Sequence, residues 1–358
     1  MFPRLGRLPR RVVLTCVYVY CLLLIYRISD SKEHERKRLD NVKRSLKERA
    51  QLIQAECIAH PPPLTKTQRN AQNAATVDAR LSTHYTNVHL KEALKDIIYL
   101  PKNNFSWCIL PKVASTSWSK SLLELSGFTE NDLLHSDKPL QVILRDTYKS
   151  VKIDNMNKTL GNSIKFLFVR HPFQRLVSAY RNKLEDSYME ADGQYFYNNY
   201  GRNIVAKYRV QEKKANEKKA SSQNALEDFE PDPNEVEFHK EPTFVEYIDY
   251  LINTDVDLYD EHWKPIWLQC HVCDFGYDYV IKYENFEEEI GIFINTLKEK
   301  GQLPSTFALQ WENKGGTSLN VTRQYLRQIS DRKLWRLYEK YRHDFGYFGY
   351  TMEDYLNL

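Results

Sequence analysis

Glycine is sparse in this sequence, at 12 of 358 residues, and proline stands at 14, against 42% hydrophobic and 27% charged residues. That composition excludes collagen-like and low-complexity classes and leaves an ordinary globular chain. No internal repeat is present. A surplus of charge is missing as well. Formal net charge is +4, and Arg4, Arg7, Arg10 and Arg11, unaccompanied by any acidic residue, account for all of it, so the remainder is neutral. A nucleic-acid-binding domain would carry a basic excess on its folded part. Any anionic substrate must therefore be held by a local patch rather than by a global field. The GxxxxGK[ST] spacing of an ATP-hydrolysing loop does not occur. Only one CxxC is found, Cys270-His-Val-Cys273, so the second ligand pair expected of a zinc site is lacking and no metal is predicted.

Long apolar runs are equally scarce. The longest uncharged one, Val12 to Tyr26, is bracketed by arginines and is short for a membrane span, which needs roughly 20 residues. Leu5, Leu8 and snorkelling Arg10, Arg11 and Arg27 extend it. A cleaved signal peptide would need an Ala-x-Ala-like site, and Arg27-Ile-Ser-Asp-Ser-Lys offers none, so a signal anchor is the expectation. The arginine asymmetry then predicts a type II topology: a cytosolic tail over 1–11, a transmembrane segment over 12–27 and a lumenal remainder. A short span suits a thin early-secretory membrane. Sequons at Asn104, Asn157 and Asn320 agree with a lumenal location. Cys16 and Cys21 fall in the apolar run, which leaves Cys57, Cys108, Cys270 and Cys273, an even set with three pairings open. Structural disulfides are expected from them.

Residues 28–77 read as a stem. Ser29 to His60 is dense in Lys, Arg and Glu with sparse Leu39, Val42, Leu46 and Ile53, the pattern of a solvated helix or weak coiled coil that could pair two copies into a homodimer. Pro61-Pro-Pro63 breaks it, and a folded domain over 78–358 follows. Within that domain, 210–242 has the composition of a mobile surface insertion. The rest alternates strand, turn and helix, which predicts an α/β fold with a parallel central sheet flanked by helices. Ser106–Leu110, Ile164–Val169 and Tyr279–Tyr283 are the expected strands. Helices are expected over Thr116–Leu125, from Pro172 to about Leu184, behind a Thr243–Glu246 capping box, through Phe293 and Leu297, and after Ser330.

Two strand-to-helix junctions carry the chemistry. In Pro111-Lys112-Val113-Ala114-Ser115-Thr116-Ser117, unpaired helix N–H groups and the helix dipole favour an anion, Lys112 adds charge, and three hydroxyls can donate to a tetrahedral oxyanion. In Arg170-His171-Pro172-Phe173-Gln174-Arg175-Leu176-Val177-Ser178, a guanidinium at the junction can grip a second phosphate bidentately. Two such sites on neighbouring strand ends fit one ligand with two separated phosphates.

The first motif resembles the 5'-phosphosulfate loop of sulfotransferases, and the second resembles their 3'-phosphate segment. The likeness to Golgi carbohydrate sulfotransferases, the group of chondroitin and dermatan 4-O-sulfotransferases, continues through Tyr200-Gly-Arg, His262-Trp-Lys-Pro, Leu268-Gln-Cys-His-Val-Cys273 and Asp344-Phe-Gly-Tyr-Phe-Gly-Tyr350. It spans roughly 100 to 350, with Ser115 standing where several members have Cys. The resemblance implies a nucleotide-kinase-like fold, 3'-phosphoadenylyl sulfate (PAPS) as donor, no metal, and in-line transfer assisted by Lys112 to a glycan. It points to the 4-hydroxyl of GalNAc in chondroitin or dermatan. A terminal sugar of glycoprotein glycans and a lumenal glycan-binding protein without turnover are the alternatives. The transfer that the resemblance implies needs a base to take the acceptor's proton: His262 is the candidate, with Glu261, Glu185, His171 and His271 as competitors. Arg181, Lys183 and Arg202 are candidates for glycan contact.

Overall fold

The computed structural model describes residues 10–62, 94–148, 151, 156–185, 191–209, 241–309 and 316–356. The expected domain start near residue 78 and most of the expected insertion at 210–242 lie outside the described residues.

Four strands form one sheet in the order β1 (Ile97–Leu100), β2 (Phe105–Cys108), β3 (Ile164–Val169) and β4 (Tyr279–Lys282). β2, β3 and β4 run parallel, with Trp107 opposite Phe166 and Phe168 opposite Ile281. The sheet is not wholly parallel as expected, because β1 pairs antiparallel with β2, Leu100 facing Phe105. The cause is chain length: residues 101–104 make a hairpin turn, and a parallel pair would need a crossover of a dozen residues or more. Asn104, at φ 49, closes that turn with its side chain donating to the Asn162 carbonyl.

β3 is the middle of the parallel set and is buried from Phe166 to Val169, which is why it reads as an unbroken apolar run. Helices cover the sheet. α2 (Ser115–Leu125) follows β2 and sinks Trp118 edge-on against Phe166 and Phe168, both at 5.5 Å between ring centres. α3 (Leu140–Thr147) packs on α2. α4 (Pro172–Tyr180) follows β3 with Pro172 in its first turn, where its missing N–H costs nothing. α5 (Phe244–Asn253) opens with the expected Thr243–Glu246 capping box. α6 (Phe286–Glu299) follows β4, and α7 (Asp331–Tyr347) is capped by Ser330. α4, α5 and α7 enclose a second apolar core around Tyr247, Trp263, Leu337 and Phe345.

α1 (Arg10–Ala59) is a single 50-residue helix that includes the apolar run. No helix among the described residues is long and apolar enough to cross a membrane. In helical geometry a fifteen-residue run spans about 22 Å, short of the roughly 30 Å hydrocarbon core. The C-terminal part of α1 is not a solvated stem. Leu46, Ala50 and Ile53 are buried in the main core. Arg49 donates to the Val280 carbonyl on the open edge of β4 at 3.0 Å and to both oxygens of Glu289 at 2.6 and 2.8 Å. An exposed sheet edge leaves unpaired backbone groups, and the helix satisfies one of them here. Two disulfides complete the attachment and resolve the pairing: Cys57–Cys273 fastens α1 to the domain, and Cys108–Cys270 ties the end of β2 to the segment before β4. All four sulfurs are thus used in cross-links rather than as metal ligands.

If α1 docks in this way, Ile53→Ala lowers unfolding free energy by about 2–5 kcal/mol, whereas Leu52→Ala, at 58% exposure, stays within about 0.5 kcal/mol. Urea denaturation of both variants decides it, and equal midpoints would show α1 to be undocked.

Candidate active site

β2 ends in a turn with two left-handed residues, Lys112 at φ 70 and Ala114 at φ 69, flanking Val113. Alternation of this kind turns successive backbone N–H groups toward one side and makes an anion-binding concavity. Ala114 is also the N-cap of α2 and offers no side-chain cap, so the first-turn N–H groups face the same hollow. Val113 and Trp118, both fully buried, hold the loop down.

The hollow is one end of a cavity of about 950 Å³. Pro111, Lys112, Ala114, Ser115, Thr116 and Ser117 line it, and so do Arg170 and Ser178 from β3–α4, together with His262. The two junctions and the candidate base thus meet in one space. Arg170 is buried, donates to the carbonyls of Lys112 at 3.2 Å and Thr317 at 2.6 Å, and stacks 4.2 Å over the Tyr283 ring. Its Nε is buried without a hydrogen-bond partner among the described residues. The preformed concavity and this unsatisfied cation fit a ligand with two phosphate groups.

The rest of the second motif does other work than expected. Phe173, Leu176 and Val177 belong to the second core and do not line the cavity. His171 accepts from Phe173 N–H through Nδ1 and donates through Nε2 to the Thr351 carbonyl at 3.1 Å. Burial pushes its pKa down to about 4, so it is a neutral structural group and not the base. Pro172 starts α4, and Gln174 interacts with Tyr355 away from the cavity. Arg175 is fully buried and spends its donors on three carbonyls: Pro111 at 3.1 Å, Lys264 at 2.6 Å and Glu261 at 2.7 Å. It braces the loop against the 260s segment and touches no cavity space.

Past Tyr180 the helix widens into a π-helical turn, Arg181–Glu185, and Tyr197–Gly201 forms another. Such insertions re-aim side chains and recur at functional sites. Here Asn182 accepts from Lys112 Nζ at 2.9 Å, and Lys183 lies 4.8 Å over Phe196. Arg181 instead donates to Gly316 and Thr317, and exposed Arg202 lines no part of the cavity.

His262, the candidate base, lines the cavity in a hydrogen-bonded pair with Asp260. Its Nδ1 meets Asp260 Oδ1 at 2.7 Å, and Asp260 Oδ2 accepts from Tyr200 at 3.2 Å. The carboxylate fixes Nδ1 as the protonated nitrogen and leaves Nε2 as the lone-pair nitrogen. Burial drives the His262 pKa below its usual 6.5, against the pull of Asp260. Burial also opposes ionisation of Asp260, but its hydrogen bonds with His262 outweigh this and hold its pKa below the usual value. Of the competitors, Glu261 lines the cavity but is paired with Arg145 at 3.4 Å. Glu185 accepts from the Tyr325 hydroxyl, and His271 pairs with Asp274 at 3.1 Å, both outside the cavity. Asp260 and Arg145 were not singled out from sequence; an Asp-x-His spacing is too common to signal a dyad unaided.

A family model described as "Sulfotransferase family" matches residues 95–351. The chain belongs to that family. Carbohydrate sulfotransferase 11 of Rattus norvegicus is 30% identical over 277 residues, 74% of this chain and 70% of the relative. Its Danio rerio counterpart is 28% identical over 370 residues, 99% and 97% of the two chains. Carbohydrate sulfotransferase 14 of Danio rerio is 29% identical over 265 residues, 73% of this chain and 64% of the relative. No solved structure matches the chain. The protein is thus a sulfotransferase of the carbohydrate-modifying group, and the cavity between its two strand-to-helix junctions is its candidate active site.

The left-handed Ala114 makes the loop sensitive to one substitution. Ala114→Val, β-branched in a region that already costs an L-residue about 1–2 kcal/mol, lowers the melting temperature, while Ala114→Gly stays close to wild type. The reverse ranking in thermal denaturation would contradict the loop conformation.

Proposed function

We propose that this enzyme transfers sulfate from PAPS to a glycan hydroxyl, most specifically the 4-hydroxyl of GalNAc in chondroitin or dermatan. The observation that carries the reading is the convergence of the Lys112 loop, Arg170 with Ser178, and His262 on a single cavity. The loop's N–H groups and the hydroxyls of Ser115, Thr116 and Ser117 would hold the donor's 5'-phosphosulfate. Arg170 and Ser178 would hold the 3'-phosphate. The donor supplies the sulfuryl group. Lys112 provides positive charge for the phosphate left behind, a form of electrostatic assistance that is strongest in a water-poor site. Asn182, bonded to Nζ, fixes where that charge sits.

His262 takes the acceptor's hydroxyl proton at Nε2, and Asp260 stabilises the imidazolium that results. Because its pKa lies below 6.5, the imidazole is in its free-base form at neutral pH. The choice of GalNAc in chondroitin or dermatan rests on the motif likeness to 4-O-sulfotransferases. In this reading Val12–Tyr26 anchors the enzyme in the Golgi membrane as a type II protein with the cleft in the lumen. The arginine-rich N-terminus and the two disulfides, which persist in oxidising compartments, support that placement.

Two outcomes are expected with labelled PAPS. Lys112→Ala and Arg170→Ala each reduce kcat/KM for chondroitin by about 10²-fold or more. Wild-type rates from either variant would remove the donor site from this cavity. Product disaccharide mapping reports position 4 of GalNAc, and transfer confined to glycoprotein glycans would redirect the acceptor to a terminal sugar.

The pH profile tests the base. A group that must be unprotonated loses activity as pH falls through its pKa, so kcat/KM is flat at neutral pH and drops on the acid side below 6.5. His262→Ala abolishes that limb and costs about 10²–10⁴ in rate. Asp260→Asn removes the charge that favours the imidazolium, so the limb moves to still lower pH. An unchanged limb in His262→Ala would assign the proton to another group.

A further inference from the structure

Beside the active-site cavity lies a second one of about 390 Å³, lined by Lys95, Asp96, Ile97, Ile98, Arg145, Tyr148 and Glu261. Arg145 and Glu261 line both spaces, and Glu261 is the chain neighbour of His262. The partition between the cavities is therefore a side-chain ion pair next to the proposed base. A glycan with its accepting hydroxyl at His262 Nε2 has this chamber next along.

Arg145 is an incompletely used cation. Its Nη2 donates to Asp96 Oδ1 at 2.9 Å and more weakly to Glu261 Oε2 at 3.4 Å. Nε is buried with no hydrogen-bond partner among the described residues, while the side chain as a whole is one-third exposed. Asp96 is a weak counter-charge. Burial raises its pKa to about 6, against the attraction of Arg145 and with Glu261 reinforcing the rise; Gln269 and buried Tyr277 stand near. At mildly acid pH the carboxyl takes a proton, Arg145 loses the nearer of its two counter-charges, and exposed Lys95 at the rim adds positive charge. A guanidinium with a spare edge is suited to a planar carboxylate.

The geometry points to the second cavity as the subsite for the sugar adjoining the accepting residue, an acidic sugar whose carboxylate is bound by Arg145. This rests on the proposed glycan-sulfating activity and adds to it the residue that selects an acidic neighbour. The wall chemistry agrees: Ile97 and Ile98 offer an apolar surface for a ring face, and Tyr148 and Glu261 offer polar edges for hydroxyls.

The experiment compares desulfated chondroitin with its carboxyl-reduced form, for wild type, Arg145→Gln and Asp96→Asn, with 3',5'-ADP binding measured by calorimetry in each. In wild type, carboxyl reduction raises acceptor KM at least tenfold. Arg145→Gln raises KM for the native polymer by a similar factor, abolishes the discrimination and leaves 3',5'-ADP affinity unchanged, which also shows the variant to be folded. For the native polymer, wild-type KM falls as pH drops from 7 to 5.5, and Asp96→Asn holds it low throughout. Wild-type sulfation indifferent to the carboxyl group overturns the subsite while leaving the enzymatic reading intact, and so does discrimination that survives in Arg145→Gln. No transfer to either polymer, with 3',5'-ADP still bound, overturns the chondroitin reading and the subsite together.

Discussion

The active-site geometry depends on one buried guanidinium. Arg175 reaches from α4 to the carbonyl before Lys112 and to two carbonyls on either side of the His262 segment. It links the Lys112 loop to the proposed base across two separate cores, since Val113 and Trp118 sit in one and Trp263 in the other. Taking a charge out of water is expensive, and burial lowers the Arg175 pKa accordingly. Three carbonyl dipoles and the nearby carboxyl of Asp344 offset that cost. Asp344, itself fully buried and raised to about 6, receives the N–H groups of Ile266 and Trp267 at 2.8 Å each and so holds the far end of the same segment.

This arrangement explains why an arginine in the middle of the proposed 3'-phosphate motif need not bind phosphate. Arg170 and Arg175 are five residues apart, on opposite sides of a helix start. The first stays beside the cavity because β3 ends there; the second, one turn into α4, points back beneath it. From sequence the two are indistinguishable cations in one motif. Both are buried, but only Arg170 lines the cavity, and that difference is a property of the assembled cores.

What could be read from the residues alone was local. β2, β3 and β4 announced themselves as short apolar segments before turns, the capping box of α5 by Thr243 and Glu246, and the start of α4 by Pro172. The pairing of Lys112 and Arg170 on neighbouring strand ends followed from the same alternation of strand and helix. The hairpin strand β1 went unseen because Ile97–Leu100 is four residues long and has no partner signal until β2 is in place. The docking of α1 went unseen for a related reason. Leu46, Ala50 and Ile53 are three buried residues in a stretch dense in charge, and the elements they pack on lie more than two hundred positions away. The Asp260–His262 dyad and the Arg145 partition depend likewise on contacts that no spacing rule reports.

The docked part of α1 has a mechanical consequence under the proposed membrane anchoring. From Arg38 onward the helix is tied to α6 by surface pairs Arg38–Glu288 and Lys43–Glu299 and then by the Arg49–Glu289 bridge, and to the segment before β4 by Cys57–Cys273. Exposed pairs such as the first two contribute little. The Arg49–Glu289 bridge is different, with only 17% and 3% of the two side chains exposed, and removing one partner of such a pair costs about 3–5 kcal/mol. Glu289 also accepts the N–H of Lys282, the last residue of β4, which precedes the Tyr283 ring stacked on Arg170. The helix that leads toward the proposed anchor is thereby continuous, through two hydrogen bonds and one ring contact, with the arginine proposed to hold the donor's 3'-phosphate. If Val12–Tyr26 is set in the bilayer, the undocked helix from Arg27 to Lys37 is a spacer of about 16 Å at helical rise. A rigid spacer and a rigid attachment together give the cleft a set height and facing above the membrane, which a flexible stem would not do.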